Sequence, residues 1–122
     1  MKVLRWLAVG VWMVIIWWLS DQPDLRSGLA QDFFLRKVVH MVEFGVLTLL
    51  WYRALSPHTQ ALPAAVIIAL LYAVLDEWHQ SWVVGRHGVF SDVLIDSLGI
   101  TITALIIRAR HKQARRPVTS SS

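Results

Sequence analysis

The sequence predicts an all-α fold: a bundle of four transmembrane helices with both termini in the cytoplasm. Composition, segmentation and charge placement each lead there. The 122-residue chain is 56% hydrophobic and 16% charged, with mean hydropathy +0.51; a soluble domain has about 45–50% apolar and about 25% charged residues. Its apolar residues gather into four segments, and this length holds four spans of roughly 20 residues with short connections. Lys and Arg crowd the two ends of the chain. The same composition excludes intrinsic disorder and a collagen-like chain. Cysteine is absent, which excludes a disulfide framework and a thiolate zinc site. No strand-period alternation is long enough to build a sheet, and a span in lipid must satisfy its own backbone, so the segments read as helices. The expected boundaries are about 3–20, 37–55, 61–82 and 92–110, in one domain over residues 1–110. Residues 111–122 are expected to be a basic, disordered cytoplasmic tail.

The first segment runs from Trp6 to Leu19 without a charge, behind Lys2 and Arg5. A basic start and an apolar run also describe a signal peptide, but Trp17-Trp18-Leu19-Ser20-Asp21 lacks the small residues that cleavage needs. Tryptophans at both ends suit the two membrane interfaces, so the segment is expected to stay as a helix, and the seven tryptophans as a group read as interface anchors. The second segment, Val38 to Leu55, is interrupted by His40, Glu43 and Arg53. The third is apolar from Ala61 to Leu75 and then continues Asp76-Glu77-Trp78-His79-Gln80-Ser81-Trp82. The fourth, Val93 to Ile107, contains one charge, Asp96. The connections carry Pro23, Pro57 and most turn-forming residues.

Orientation follows from the basic residues. Lys2 and Arg5 lie at the start; Arg108, Arg110, Lys112, Arg115 and Arg116 lie at the end. The positive-inside rule puts that side in the cytoplasm. The connection with Arg53 and His58 then faces inward, and those around Asp24 and Arg86 face outward. The basic tail reads as a topology anchor that meets anionic lipid head groups, not as a nucleic-acid patch. The expected location is a bacterial inner membrane, with membrane lipids as partners and no nucleic acid.

On this topology nearly every ionisable residue inside the spans falls at the outward end of its span. His40 and Glu43 open the second helix, Asp76, Glu77 and His79 close the third, and Asp92 and Asp96 open the fourth. An acidic or basic residue costs about 2.5–3.5 kcal/mol near a helix centre in a bilayer and less toward an end. Such residues need mutual pairing or a wet cavity, and they mark functional sites by default. Lys37, His40 and Glu43 recur every three residues and share one helix face. Asp76, His79 and Gln80 share another, whereas Glu77 lies about 100° around, toward a neighbouring helix or the rim. Asp92, Asp96, Gly99 and Thr103 form a stripe, and Gly99 allows close helix approach just below the carboxylates. Arg86, in Gly85-Arg86-His87-Gly88, can swing over the cavity and bind a carboxylate or phosphate bidentately.

Four elements together resemble the VanZ-like family of bacterial integral membrane proteins. They are Ser20-x-Gln22-Pro23 after the first helix, Lys37-x-x-His40-x-x-Glu43-Phe44-Gly45 opening the second, Asp76-Glu77-x-His79-Gln80 followed by Gly85-Arg86, and Asp92-Val93-x-x-Asp96-x-x-Gly99. The ordered set spans residues 20–99, with Asp21, Phe44 and Val84 standing where the family usually has Ser, Tyr and Pro. The resemblance implies a protein of the cell envelope, whose eponymous relative is associated with resistance to the lipoglycopeptide teicoplanin. It implies no reaction.

The expected polar pocket comprises Gln22, Lys37, His40, Glu43, Asp76, Glu77, His79, Gln80, Arg86, Asp92 and Asp96. Among these, His40, Glu43, Asp76, Asp92 and Asp96 are the candidate ligands of a divalent metal, although no zinc motif such as His-Glu-x-x-His is present. Each pair also has a plainer reading as a local hydrogen-bonded contact. Two functions follow. The pocket binds an amphipathic or lipid-linked envelope molecule, with Lys37 and Arg86 on a phosphate or carboxylate and flanking apolar faces on an acyl or prenyl chain. The alternative is a membrane-embedded enzyme, metal-dependent or not, acting on a lipid-linked phosphate or sugar. An ion-coupled carrier would need polar groups through the inner half of the bundle as well.

Overall fold

The computed structural model describes residues 2–20, 30–82 and 91–115. They form four helices and no strand: α1 (Lys2–Ser20), α2 (Ala30–Leu55), α3 (Ala61–Gln80) and α4 (Ser91–Arg115). The all-α bundle matches the sequence expectation, with two differences in extent. α2 begins at Ala30, well before 37, because Ala30-Gln31-Asp32-Phe33-Phe34 holds no Gly or Pro to stop a helix growing backwards. α4 runs through Arg115, so residues 111–115 belong to a helix and not to a disordered tail. His111-Lys112-Gln113-Ala114-Arg115 is made of residues a helix accepts, and basic side chains favour a helix C-terminus. Residues 116–122 lie outside the described set.

Three helices are long and apolar enough to cross a membrane, within Lys2–Leu19, Leu35–Leu55 and Ala61–Gln80. α4 falls short by composition, since its apolar run carries Asp96 and is bounded by Asp92 and Arg108. Val3, Leu4, Leu7, Val11, Val14, Leu71, Leu94, Leu105 and other large apolar side chains are exposed. Water would not leave so much apolar surface bare, whereas lipid covers it without cost.

α2, α3 and α4 are mutual neighbours, and α2 packs most extensively on α4. α1 flanks them, touching α2 and α3. Its inward face is Val9, Trp12, Met13, Ile16 and Trp17, spaced three or four apart as one helical stripe requires. Ile16 meets Phe44, Leu47, Ala69, Tyr72, Ala73 and Ile100 in the core. Two hydrogen bonds tie α1 in place: Trp12 Nε1 donates to the Glu43 carbonyl at 2.9 Å, and Tyr72 Oη donates to the Met13 carbonyl at 2.6 Å. At the far end Arg5 Nη1 donates to the Arg53 carbonyl at 3.2 Å, and Trp6 meets Trp51 edge to face at 5.5 Å. Trp12 and Trp17 therefore pack against the bundle core.

The α2–α4 contact depends on glycine. A Cβ built at Gly99 would lie 2.1 Å from the Met41 carbonyl oxygen, so the two backbones nearly touch there. One turn on, Gly45 faces the Thr103 hydroxyl and the Gly99 carbonyl. The close approach expected of Gly99 is present, and it brings the first turns of α4 against the middle of α2.

Candidate functional site

The buried stripe of α3 is Ala61, Ala65, Ala69, Tyr72, Ala73, Asp76 and Gln80. Its spacing of three and four is that of a helix face turned to the core. The stripe starts as alanine and ends as acid and amide, so one helix face carries a close-packing surface at one end and polar chemistry at the other. Asp76 is 1% exposed and Gln80 3%. α4 does the reverse: Asp96, 2% exposed, comes first, and Ile100 and Ile107 follow on the same buried side. α2 contributes Lys37, His40 and Glu43 from successive turns, with Glu43 7% exposed. All these ends point the same way, away from Lys2, Arg5, Arg53 and the basic end of α4.

At the rim, the Lys37 ammonium contacts the Asp92 carboxylate, and both side chains keep some exposure. Deeper in, His40 Nδ1 lies 3.7 Å from Asp96 Oδ1 and 3.8 Å from Glu43 Oε2. Both separations exceed a hydrogen bond. One nitrogen of His40 and one oxygen each of Asp76 and Asp96 all fall within 4.8 Å of one another. Asp76 Oδ2 accepts a hydrogen bond from Gln80 Nε2 at 3.0 Å, which fixes the carboxylate plane. The negative charges of Asp76, Glu77 and Glu43 all bear on Asp96, and the positive charge of Lys37 opposes them. Glu77 thus acts on α4 from its position around the helix from Asp76.

The structure therefore brings together Lys37, His40, Glu43, Asp76, Glu77, Gln80, Asp92 and Asp96. It takes His79 elsewhere. The imidazole lies flat on the Trp17 indole, with centroids 3.8 Å apart and planes 4° from parallel, so it faces α1 and stands outside the His40, Asp76 and Asp96 group. Asp92, held by Lys37, and Glu43 likewise stand outside that group of three. Gln22 and Arg86 lie outside the described residues. Trp17 and Trp12 were not among the expected site residues. Their signal was available, since Trp12 and Trp17 fall on the same stripe as Ile16, but tryptophan near a membrane is read first as an interface residue.

Chemically, the site gathers carboxylates, one imidazole and one ammonium within an apolar bundle. Such a group can hold a cation, present hydrogen-bonding groups to a polar head, or exchange protons. An open groove of about 500 Å³ runs along the other side of the α2–α4 contact, lined by Met41, Val42, Gly45, Ile102, Thr103 and Arg110 among others. Met41 and Val42 leave α2 on the face opposite His40 and Glu43, so groove and polar cluster lie on two sides of one helix seam.

A family model described as VanZ/LLP1 matches residues 5–111 of the chain. No curated protein and no solved structure matches it.

Proposed function

The chain belongs to the VanZ/LLP1 family, and from that premise we propose that this membrane protein binds an amphipathic or lipid-linked molecule of the bacterial cell envelope, in a teicoplanin-resistance-like role. On this reading it is a multi-pass protein of the cytoplasmic membrane with cytoplasmic termini and an outward-facing polar pocket. The observation that carries the reading is the convergence of Lys37, His40, Glu43, Asp76, Asp92 and Asp96 at the end of the bundle opposite Arg5 and Arg53. Burying that many charged groups is unfavourable in a bundle that has only stability to gain. The partly exposed Lys37 and Asp92 at the rim offer a polar head group its first contact. Val39, Val42, Trp78, Leu94 and Leu98 beside the rim are exposed and suit an acyl or prenyl chain. Membrane lipids and an isoprenoid- or acyl-linked ligand are the partners this implies.

A second reading, a membrane-embedded enzyme acting on a lipid-linked phosphate or sugar, is favoured by one observation. His40, Asp76 and Asp96 place an imidazole and two carboxylates together, as general acid–base or metal-assisted hydrolysis requires.

The test is made in teicoplanin-susceptible cells expressing the chain. Wild type should shift teicoplanin susceptibility, and Asp76→Ala, Asp96→Ala and Arg86→Ala should each abolish the shift. Removing one member of a buried charged group costs about 3–5 kcal/mol, so membrane levels are measured alongside. Full wild-type behaviour from all three variants at normal levels overturns the reading.

A further inference from the structure

We propose that His40, Asp76 and Asp96 form a binding site for one divalent first-row transition-metal ion, of the Zn²⁺ or Mn²⁺ kind, held between α2, α3 and α4. The inference places the ion in the pocket proposed above but does not require an envelope ligand to be bound. Each helix supplies one ligand, and one nitrogen and two oxygens lie within 4.8 Å of one another. The 3.7 Å between His40 Nδ1 and Asp96 Oδ1 is too long for a hydrogen bond. It is the separation expected of two ligands on one ion, since atoms about 2.0–2.2 Å from a shared metal stand about 3–4 Å apart.

Burial supplies the second argument. Asp96 is 2% exposed, and its Oδ1 atom, aimed at His40, has no hydrogen-bond partner among the described residues. Asp76 is 1% exposed beside it. Two carboxylates this close in a low dielectric repel each other strongly. A doubly charged ion between them turns the repulsion into coordination. Gln80 donates to Asp76 Oδ2, the kind of outer contact that orients a ligating carboxylate.

The donor set selects the class of ion. With one imidazole nitrogen, two carboxylate oxygens and no sulfur, it suits Mn²⁺, Fe²⁺ or Zn²⁺ better than Cu⁺, and the imidazole disfavours Ca²⁺ and Mg²⁺. Three protein ligands leave a position open. A phosphate or carboxylate oxygen entering from the rim is the natural fourth ligand.

The experiment uses the full chain purified in detergent, stripped with a chelator and then equilibrated with Zn²⁺ or Mn²⁺ alone. Wild type should take up about one equivalent by elemental mass spectrometry. Pulsed paramagnetic resonance of the Mn²⁺ form should show coupling to an imidazole nitrogen that is lost in His40→Gln. Asp96→Asn and His40→Gln should weaken binding at least about tenfold, while His58→Gln, at the opposite end, should leave it unchanged. Circular dichroism establishes that the variants fold, and the nitrogen coupling in wild type keeps the site testable if they do not. No metal uptake by wild type, or uptake without nitrogen coupling, overturns the cation site, as does equal uptake by folded Asp96→Asn and His40→Gln. Lipid retained by the same samples is read independently: a metal-free wild type that still carries an isoprenoid or acyl phosphate overturns the cation site alone.

Discussion

At the scale of single residues, glycines show how narrowly this bundle is built. A methyl group at Gly99 would meet the Met41 carbonyl oxygen at 2.1 Å and its carbon at 2.8 Å, both rigid backbone atoms. Gly99→Ala must therefore push α4 off α2, at about 1–3 kcal/mol for overpacking, together with the loss of the contacts that position Asp96. Gly45→Ala meets the Thr103 hydroxyl at 2.7 Å, a side-chain tip that can rotate, and the Gly99 carbonyl at 3.3 Å. Gly10 has nothing within 4 Å, so Gly10→Ala should be neutral or gain about 0.5–1 kcal/mol of helix preference. Thermal unfolding in detergent should rank the stabilities Gly10→Ala, then Gly45→Ala, then Gly99→Ala. Equal melting of the first and last would contradict the backbone contact. The candidate site shows the same dependence on residue spacing. His40 and Glu43 were legible as a shared face because their spacing is three. His79, three residues from Asp76, lies about 60° around the helix from it, and its ring stacks on the Trp17 indole.

At the scale of elements, α1 is the least secured. Its backbone lies against α2 and α3 and, among the described residues, does not approach that of α4, and much of its surface is exposed. Its contacts include Ile16 in the core, the Trp17–His79 stack, the Trp12 and Tyr72 hydrogen bonds, and Arg5 and Trp6 at the far end. A hydrogen bond between membrane helices contributes about 0.6 kcal/mol on average. Trp12→Phe and Tyr72→Phe should thus each lower stability modestly, and together they should raise amide exchange in α1 before α2 or α4. Hydrogen exchange by mass spectrometry reads this directly, and uniform loosening of all four helices would contradict it. α3 was legible as an apolar segment with an acidic end, but its buried alanine stripe was not singled out. The small side chains of that stripe draw α3 close enough to α2 and α4 for Asp76 to reach across.

At the scale of the whole molecule, charge is polarised along the bundle. Arg5 and Arg53 meet at one end, and Lys37, His40, Asp76, Asp92 and Asp96 gather at the other. The positive-inside rule turns this polarity into an orientation. Single cysteines at Asp24 and Arg86 should react with an impermeant thiol reagent on intact cells, and one at His58 should react only after permeabilisation. The reverse pattern would invert the proposed pocket. α4 makes the orientation worth measuring, because it is the one helix of the four too charged to qualify as a span by composition. Its packing against α2 places Asp96 inside the bundle, where lipid does not meet the charge.

The sequence by itself determined the helical class, the four apolar segments, the family, and which end of each segment carries the charges, because these depend on composition and local spacing. It also determined the close approach at Gly99, since a glycine beside buried carboxylates has few other uses in a helix. The tertiary structure decided how far α2 and α4 extend, that His79 serves the α1 contact, and that Asp92 belongs to Lys37 while Asp96 turns to His40 and Asp76. Those outcomes depend on which helices are neighbours and at what rotation, and a rotation of one residue, about 100°, moves a side chain from one partner helix to another. Spacing along a helix fixes which residues share a face; only packing between helices fixes what that face meets.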